Sequence, residues 1–156
     1  MRHRRSWTAV LLVCGLLLSM VLGAGLASAA PRRDAAGAIH VVSNVVDASS
    51  QAGRNTKIEA TAHVVFTGNF AGTAVEIYSA VIHPSGKTNL HGRGFFTGTV
   101  DGRTGTFEYV FHGDENGGMI VIDHASGGLS GLSGQARYEP VGPADFTYSG
   151  HFQFAP

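Results

Sequence analysis

The chain has 156 residues, 44% of them hydrophobic and 14% charged, with 22 glycines. Eleven Lys and Arg balance eleven Asp and Glu; loss of Arg2, Arg4 and Arg5 with an N-terminal leader leaves eight against eleven, a formal charge of −3. That balance argues against a binder of nucleic acid or anionic membrane, whose affinity comes largely from positive charge, and the length suits one domain.

The chain opens with the basic run Met1-Arg2-His3-Arg4-Arg5, continues uncharged and largely apolar from Ala9 to Leu26, and reaches Ala27-Ser28-Ala29-Ala30. A charged start, an apolar middle and an A-x-A end define a secretory signal. Residues 1–29 are therefore read as a signal peptide cut after Ala29, since a cut after Ala30 would set the fixed ring of Pro31 against the scissile bond. The apolar run lies near the lower limit for spanning a bilayer, so no stable membrane anchor is expected. Arg4-Arg5 raises the twin-arginine route, but Ser6-Trp7-Thr8 match that motif only in part. Cys14 is the only cysteine. Val13 before it is not the small residue a lipoprotein signal needs, so the secreted chain is expected to carry neither disulfide nor thiol chemistry.

Residues 30–37, small and charged, read as a flexible leader, and 38–156 as the domain. Helical periodicity is absent after the leader. Runs of β-branched and aromatic residues broken by glycine predict about eight antiparallel strands: 38–46, 57–67, 73–83, 90–100, 106–112, 118–124, 135–140 and 146–154. In 57–67, Ile58, Ala60, Ala62, Val64 and Phe66 share one face, opposite Glu59, Thr61, His63 and Thr67. In 106–112, Phe107, Tyr109 and Phe111 oppose Thr106, Glu108 and His112. In 146–154, Phe146, Tyr148, Phe152 and Phe154 oppose Thr147, Ser149, His151 and Gln153. The strands 73–83 and 118–124 are apolar on both faces and call for cover on both, which predicts an oligomer or a covering segment.

The breaks carry turn chemistry. Asp101-Gly102-Arg103-Thr104-Gly105 supplies positive-φ positions for a tight hairpin; Pro84-Ser85-Gly86-Lys87 and Gly113-Asp114-Glu115-Asn116-Gly117-Gly118 serve the same purpose. Phe66-Thr67-Gly68 before Gly72, Phe96-Thr97-Gly98 before Gly102 and Leu129-Ser130-Gly131 before Gly134 read as one hairpin device used three times. Gly127-Gly128 opens no helix, so phosphate cradling is not expected. Eight short antiparallel strands close most economically into an all-β barrel of the allene-oxide-cyclase-like or lipocalin-like type, which leaves no exposed edges.

The stretch from His91-Gly92-Arg93-Gly94-Phe95-Phe96-Thr97-Gly98 through Asp101-Gly102-Arg103-Thr104-Gly105-Thr106-Phe107, the following His112-Gly113, and the late Leu129-Ser130-Gly131-Leu132-Ser133-Gly134 together resemble a bacterial domain-of-unknown-function family grouped with the allene-oxide-cyclase-like barrels. The resemblance covers roughly residues 58–138. It implies an eight-stranded antiparallel barrel and assigns no activity. The polar segment Asp123-His124-Ala125-Ser126 departs from the more apolar approach expected there.

Candidate chemistry is sparse. His40, His63, His83, His91, His112, His124 and His151 invite a metal, but no H-x-H or H-x-x-x-H pairing with partner acids occurs, and His83 and His91, facing each other across a turn, would give two ligands at most. No metal and no cofactor are expected. Glu59, Glu76 and Glu108 lie on strands. If the side holding Glu59, His63, Glu108 and His112 faced inward it would line an acid–base pocket; burial of each aromatic gains roughly 1.5–3 kcal/mol, which directs the aromatic side inward instead. Ser126, Ser130 and Ser133 sit in no nucleophile elbow.

Three functions remain open. A lumen lined by Phe66, Phe107, Tyr109, Phe111, Tyr148 and Phe152 would bind one small apolar ligand. A barrel packed solid would be a secreted interaction or structural protein. A cyclase or isomerase of the allene-oxide-cyclase kind would need polar groups among the aromatics, for which Tyr109 and Tyr148 are the candidates. No charged or metal constellation demands catalysis, and an enzyme ranks behind the other two.

Overall fold

A computed structural model describes residues 30–155; the expected signal peptide, with Cys14 in it, lies outside the described residues. Eight antiparallel strands follow in chain order: β1 (Arg33–Ala52), β2 (Asn55–Gly68), β3 (Phe70–Ile82), β4 (Thr88–Val100), β5 (Arg103–Asp114), β6 (Gly117–Gly127), β7 (Leu132–Pro140) and β8 (Asp145–Phe154). Each pairs with the next, and β1 pairs with β8, closing the sheet into an up-and-down barrel. Closure satisfies ladder hydrogen bonds that an open sheet would leave at two edges.

The period-two pattern decides what faces inward. Ala60, Ala62, Val64 and Phe66 of β2, Phe107, Tyr109 and Phe111 of β5, and Tyr148 and Phe152 of β8 are all buried. Glu59, His63 and His112 are exposed, and Glu108 is half-buried on the outer wall.

The interior has two unlike halves. The end carrying the β2–β3, β4–β5 and β6–β7 turns is packed solid. Phe96 stacks on Phe107 with ring centroids 4.4 Å apart, Phe70 stacks on Tyr148 at 5.3 Å, and Phe66 meets Phe96 edge-on at 5.6 Å. The Tyr148 hydroxyl accepts from Phe70 N–H at 2.9 Å and donates to Thr67 O at 3.0 Å. Leu129, in the β6–β7 loop, is fully buried and seals this end; Gly127 and Gly131, at φ +66° and +81°, turn the chain on either side of it. The opposite end, with the β1–β2, β3–β4, β5–β6 and β7–β8 connections, carries fewer large rings.

Aromatic filling is possible because glycine faces many of the rings. Gly94 lies opposite Tyr109 and Gly92 opposite Phe111 across β4–β5, and a methyl group at Gly94 would collide with the Tyr109 ring.

Four expectations change. Residues 33–37 of the segment read as a leader belong to β1 and pair with β8, Arg33 opposite Phe152 and Gly37 opposite Tyr148; small residues suit this seam, where the Tyr148 ring crosses Gly37. β1 also runs on to Ala52, beyond the expected end at residue 46, because the polar segment 47–52 pairs with β2. Past His40 it has no ladder to β8, and bulges between Val41 and Ser43 and between Val46 and Ala48 redirect it. Asp123-His124-Ala125-Ser126 remains in β6: Glu108 pairs with His124 and Tyr109 with Ile122, so Asp123 is the extra residue of a bulge. The three similar glycine motifs do not form one device, since Gly98 lies within β4 opposite Gly72 and both flank the Phe96 ring.

Phe96 is 1% exposed, and truncating it would empty the packed end. Phe96→Ala is expected to cost about 3–5 kcal/mol, read as a lowered urea midpoint with an unchanged slope.

Candidate functional site

The open half of the barrel encloses a cavity of about 600 Å³. Its walls are mainly apolar, with Ile39, Val64, Leu90, Phe111, Ile120 and Phe146 among them. The rim is formed by β1 residues 41–44, by Pro140 and residues 142–144 of the β7–β8 connection, and by Thr88 and Glu115. Val41 N–H donates to Ala144 O at 2.8 Å, tying the rim together where the β1–β8 ladder stops.

Few polar groups enter this space. Glu76 stands on β3 between Ala74 and Tyr78 on the inward face, opposite Gly94, which in turn lies opposite Tyr109. Tyr109 Oη donates to Glu76 Oε1 at 2.6 Å. This pair marks the boundary between the two halves: Tyr109 is fully buried against Phe66 and Phe107, while Glu76 forms part of the cavity wall. Among the described residues no cation forms an ion pair with Glu76 and no second donor reaches it. Burial pushes the Glu76 carboxyl above its usual range, against the opposing effect of the Tyr109 hydrogen bond. The Tyr109 phenol is raised well above its ordinary value by burial first, then by the Glu76 charge and by donating to it.

Higher in the cavity, Tyr78 Oη and the Asn44 amide bond to each other at 2.8 Å. Tyr138, on β7, is 8% exposed, and its hydroxyl is buried without a hydrogen-bond partner. Its pKa is pushed up to about 12 by burial first, then by the nearby charges of Glu76 and Asp114. At the rim, Glu115 Oε2 accepts from Thr88 N–H at 2.9 Å, which holds the Glu115 carboxyl below its usual range.

The six residues expected to line a lumen are all interior, but they divide between the halves. Phe111 lines the cavity. Tyr109 lies beneath its floor and reaches it through Glu76. Phe66, Phe107, Tyr148 and Phe152 belong to the packed end. Tyr109 and Tyr148 do not converge as a polar pair, because the Tyr148 hydroxyl is bound to backbone near the β2–β3 turn.

Among the described residues no three His, Cys, Asp or Glu side chains converge on a metal position. His83 bonds to Asn55 and Asn89 instead of facing His91, and His91 lies opposite His112 on the outer wall. His40 pairs with Asp145 at 2.7 Å across the β1–β8 seam.

Sequence reasoning placed Glu76 on a strand without assigning it a lumen position. The pairing Ala74-x-Glu76-x-Tyr78 holds the signal, but Val75, Ile77 and Val81 make the other face equally apolar and hide the parity. Nothing local to Asn44 or Tyr138 indicates that they share a cavity.

The architecture is thus a closed eight-stranded antiparallel barrel, solid at one end and hollow at the other. Residues 35–149 match the family model described as "Protein of unknown function (DUF3224)", and the chain belongs to that family. The same fold is found in the crystal structure of a protein of unknown function from the DUF3224 family of Shewanella oneidensis MR-1. That structure superposes with a TM-score of 0.70 at 17% identity, over 81% of this chain and 100% of the other. No curated protein matches the chain.

Because its carboxyl is raised, Glu76 favours the folded state when protonated; that contribution is present at low pH and lost as pH rises through the folded pKa. Glu76→Gln preserves the shape and an acceptor for Tyr109 but cannot ionise. Its expected effect is a Tm a few degrees above the parent near neutral pH, with the gap closing on acidification. Thermal melts of both proteins across pH measure this.

Proposed function

We propose that this is an exported protein whose barrel holds one small, mainly apolar ligand in the open half. The observation that carries this reading is the cavity of about 600 Å³ bounded by aliphatic and aromatic side chains with a few polar groups on one wall. That size and composition suit a small-molecule site, and a barrel of eight strands leaves room for one such molecule. A solid structural barrel would call for the open half to be filled like the other. Export is supported by the basic, apolar and A-x-A succession of residues 1–29.

Glu76 at the cavity floor favours a second reading, in which the barrel guides a bound molecule through a rearrangement of the cyclase kind. It is distinguished by recovering the added ligand in altered form.

Native mass spectrometry of protein from its own culture supernatant tests the first reading. A small mass is expected in the native state and absent after denaturation; an unliganded mass in every charge state would overturn it. Leu90→Trp, which adds a ring to the half-buried cavity wall, is expected to weaken retention by about tenfold or more while leaving the fold intact.

The outer wall carries an apolar strip. Ile77 is 56% exposed, Phe95 42%, Val110 37% and Val121 36%, on β3 to β6, and Ile77, Val110 and Val121 share one pairing level with Arg93. We propose that a second copy of the chain covers this strip. Sedimentation is expected to give a dimer or larger at micromolar concentration and a monomer for Ile77→Lys; a parent monomer would refute the assignment.

A further inference from the structure

We infer that the cavity selects a ligand with a cationic nitrogen on an apolar body, the nitrogen seated at Glu76. The inference rests on the reading of the cavity as a ligand site and specifies the chemistry of its occupant.

The argument begins with charge. The acidic residues of the cavity wall are Glu76, Asp114 and Glu115, and the wall contains no Lys, Arg or His. These three are not equivalent. Glu115 lies at the rim, is bound by Thr88 N–H, and feels the charges of Lys87 and His83. Asp114 Oδ1 already accepts from Asn116 N–H at 2.7 Å. Glu76 is the one set deep in the wall, with a single neutral donor on Oε1. An enclosed carboxylate without a counter-cation is costly, and a cationic ligand supplies the missing charge.

Tyr138 adds part of its ring to the wall, but its hydroxyl is closed off from solvent and lies against Gly113 and Gly118, so Glu76 is the seat for the nitrogen. Tyr78 and Phe111 add ring faces to the same cavity, with centroids 6.3 Å apart; aromatic faces attract cations most strongly where water is excluded. An anionic ligand would meet the same carboxylates without a compensating cation, and a neutral one would leave Glu76 unpaired.

The test uses three probes of one length: octylamine, octanol and octanoate, titrated calorimetrically into the purified protein near neutral pH. The amine is expected to bind roughly tenfold or more tightly than the alcohol, with octanoate weakest. In Glu76→Gln the amine is expected to fall to the level of the alcohol. Equal affinity of amine and alcohol for the parent, or an amine preference that survives in Glu76→Gln, would overturn the inference while leaving the cavity a ligand site. Failure of all three probes to bind would remove the ligand-site reading itself. The parent series decides the question even if a variant fails to fold.

Discussion

Closure of the sheet through β1 and β8 is the constraint from which the other features follow. Eight strands fix an interior only wide enough for side chains to fill or for one small molecule to occupy. Within that width, residue size at each inward position decides between solid and hollow. Phe66, Phe70, Phe96, Phe107, Tyr148 and Phe152 fill one end. At the other end, Ala62, Val64, Leu90 and Ile120 stand around a space they do not fill. The same closure brings Arg33–Gly37 onto β8, so the barrel depends on a segment whose composition has little strand character.

The division of the barrel also divides its polar groups by role. Tyr148 bonds to backbone at both oxygen positions it uses, donating to Thr67 O and accepting from Phe70 N–H, and so fixes the β2–β3 turn against β8. Tyr109 instead spends its only hydroxyl proton on a carboxylate. The raised pKa of Glu76, the orphan Tyr138 hydroxyl and the adjoining cavity occur together in the open half. Polar groups left incompletely satisfied in an otherwise well-packed interior are where natural proteins give up stability for function.

The glycines explain how so many rings share a narrow interior. Gly92 and Gly94 stand opposite Phe111 and Tyr109, and Gly72 and Gly98 opposite each other beside Phe96. Each lets a ring lie close over bare backbone where a methyl group would hold it away. The glycine-rich stretch from His91 to Phe107 is therefore, in its central part, a packing device, with turn formation confined to positions such as Asp101 and Gly102, both at positive φ.

Eight strands, their antiparallel order and the inward direction of the aromatics were legible in the sequence, because alternation and turn residues are local signals and burial favours one face. Parity alone told β2, β5 and β8 which side was interior. It failed for β3, where Val75 and Ile77 rival Ala74 and Tyr78, and so Glu76 went unrecognised as a lumen residue. Nor could it extend β1 through 33–37 and 47–52, since those residues become strand only by pairing with β8 and β2. The cavity itself belongs wholly to the tertiary structure. It arises from how large and small inward residues on separate strands fall level with one another, and that alignment is set by register across the whole ring.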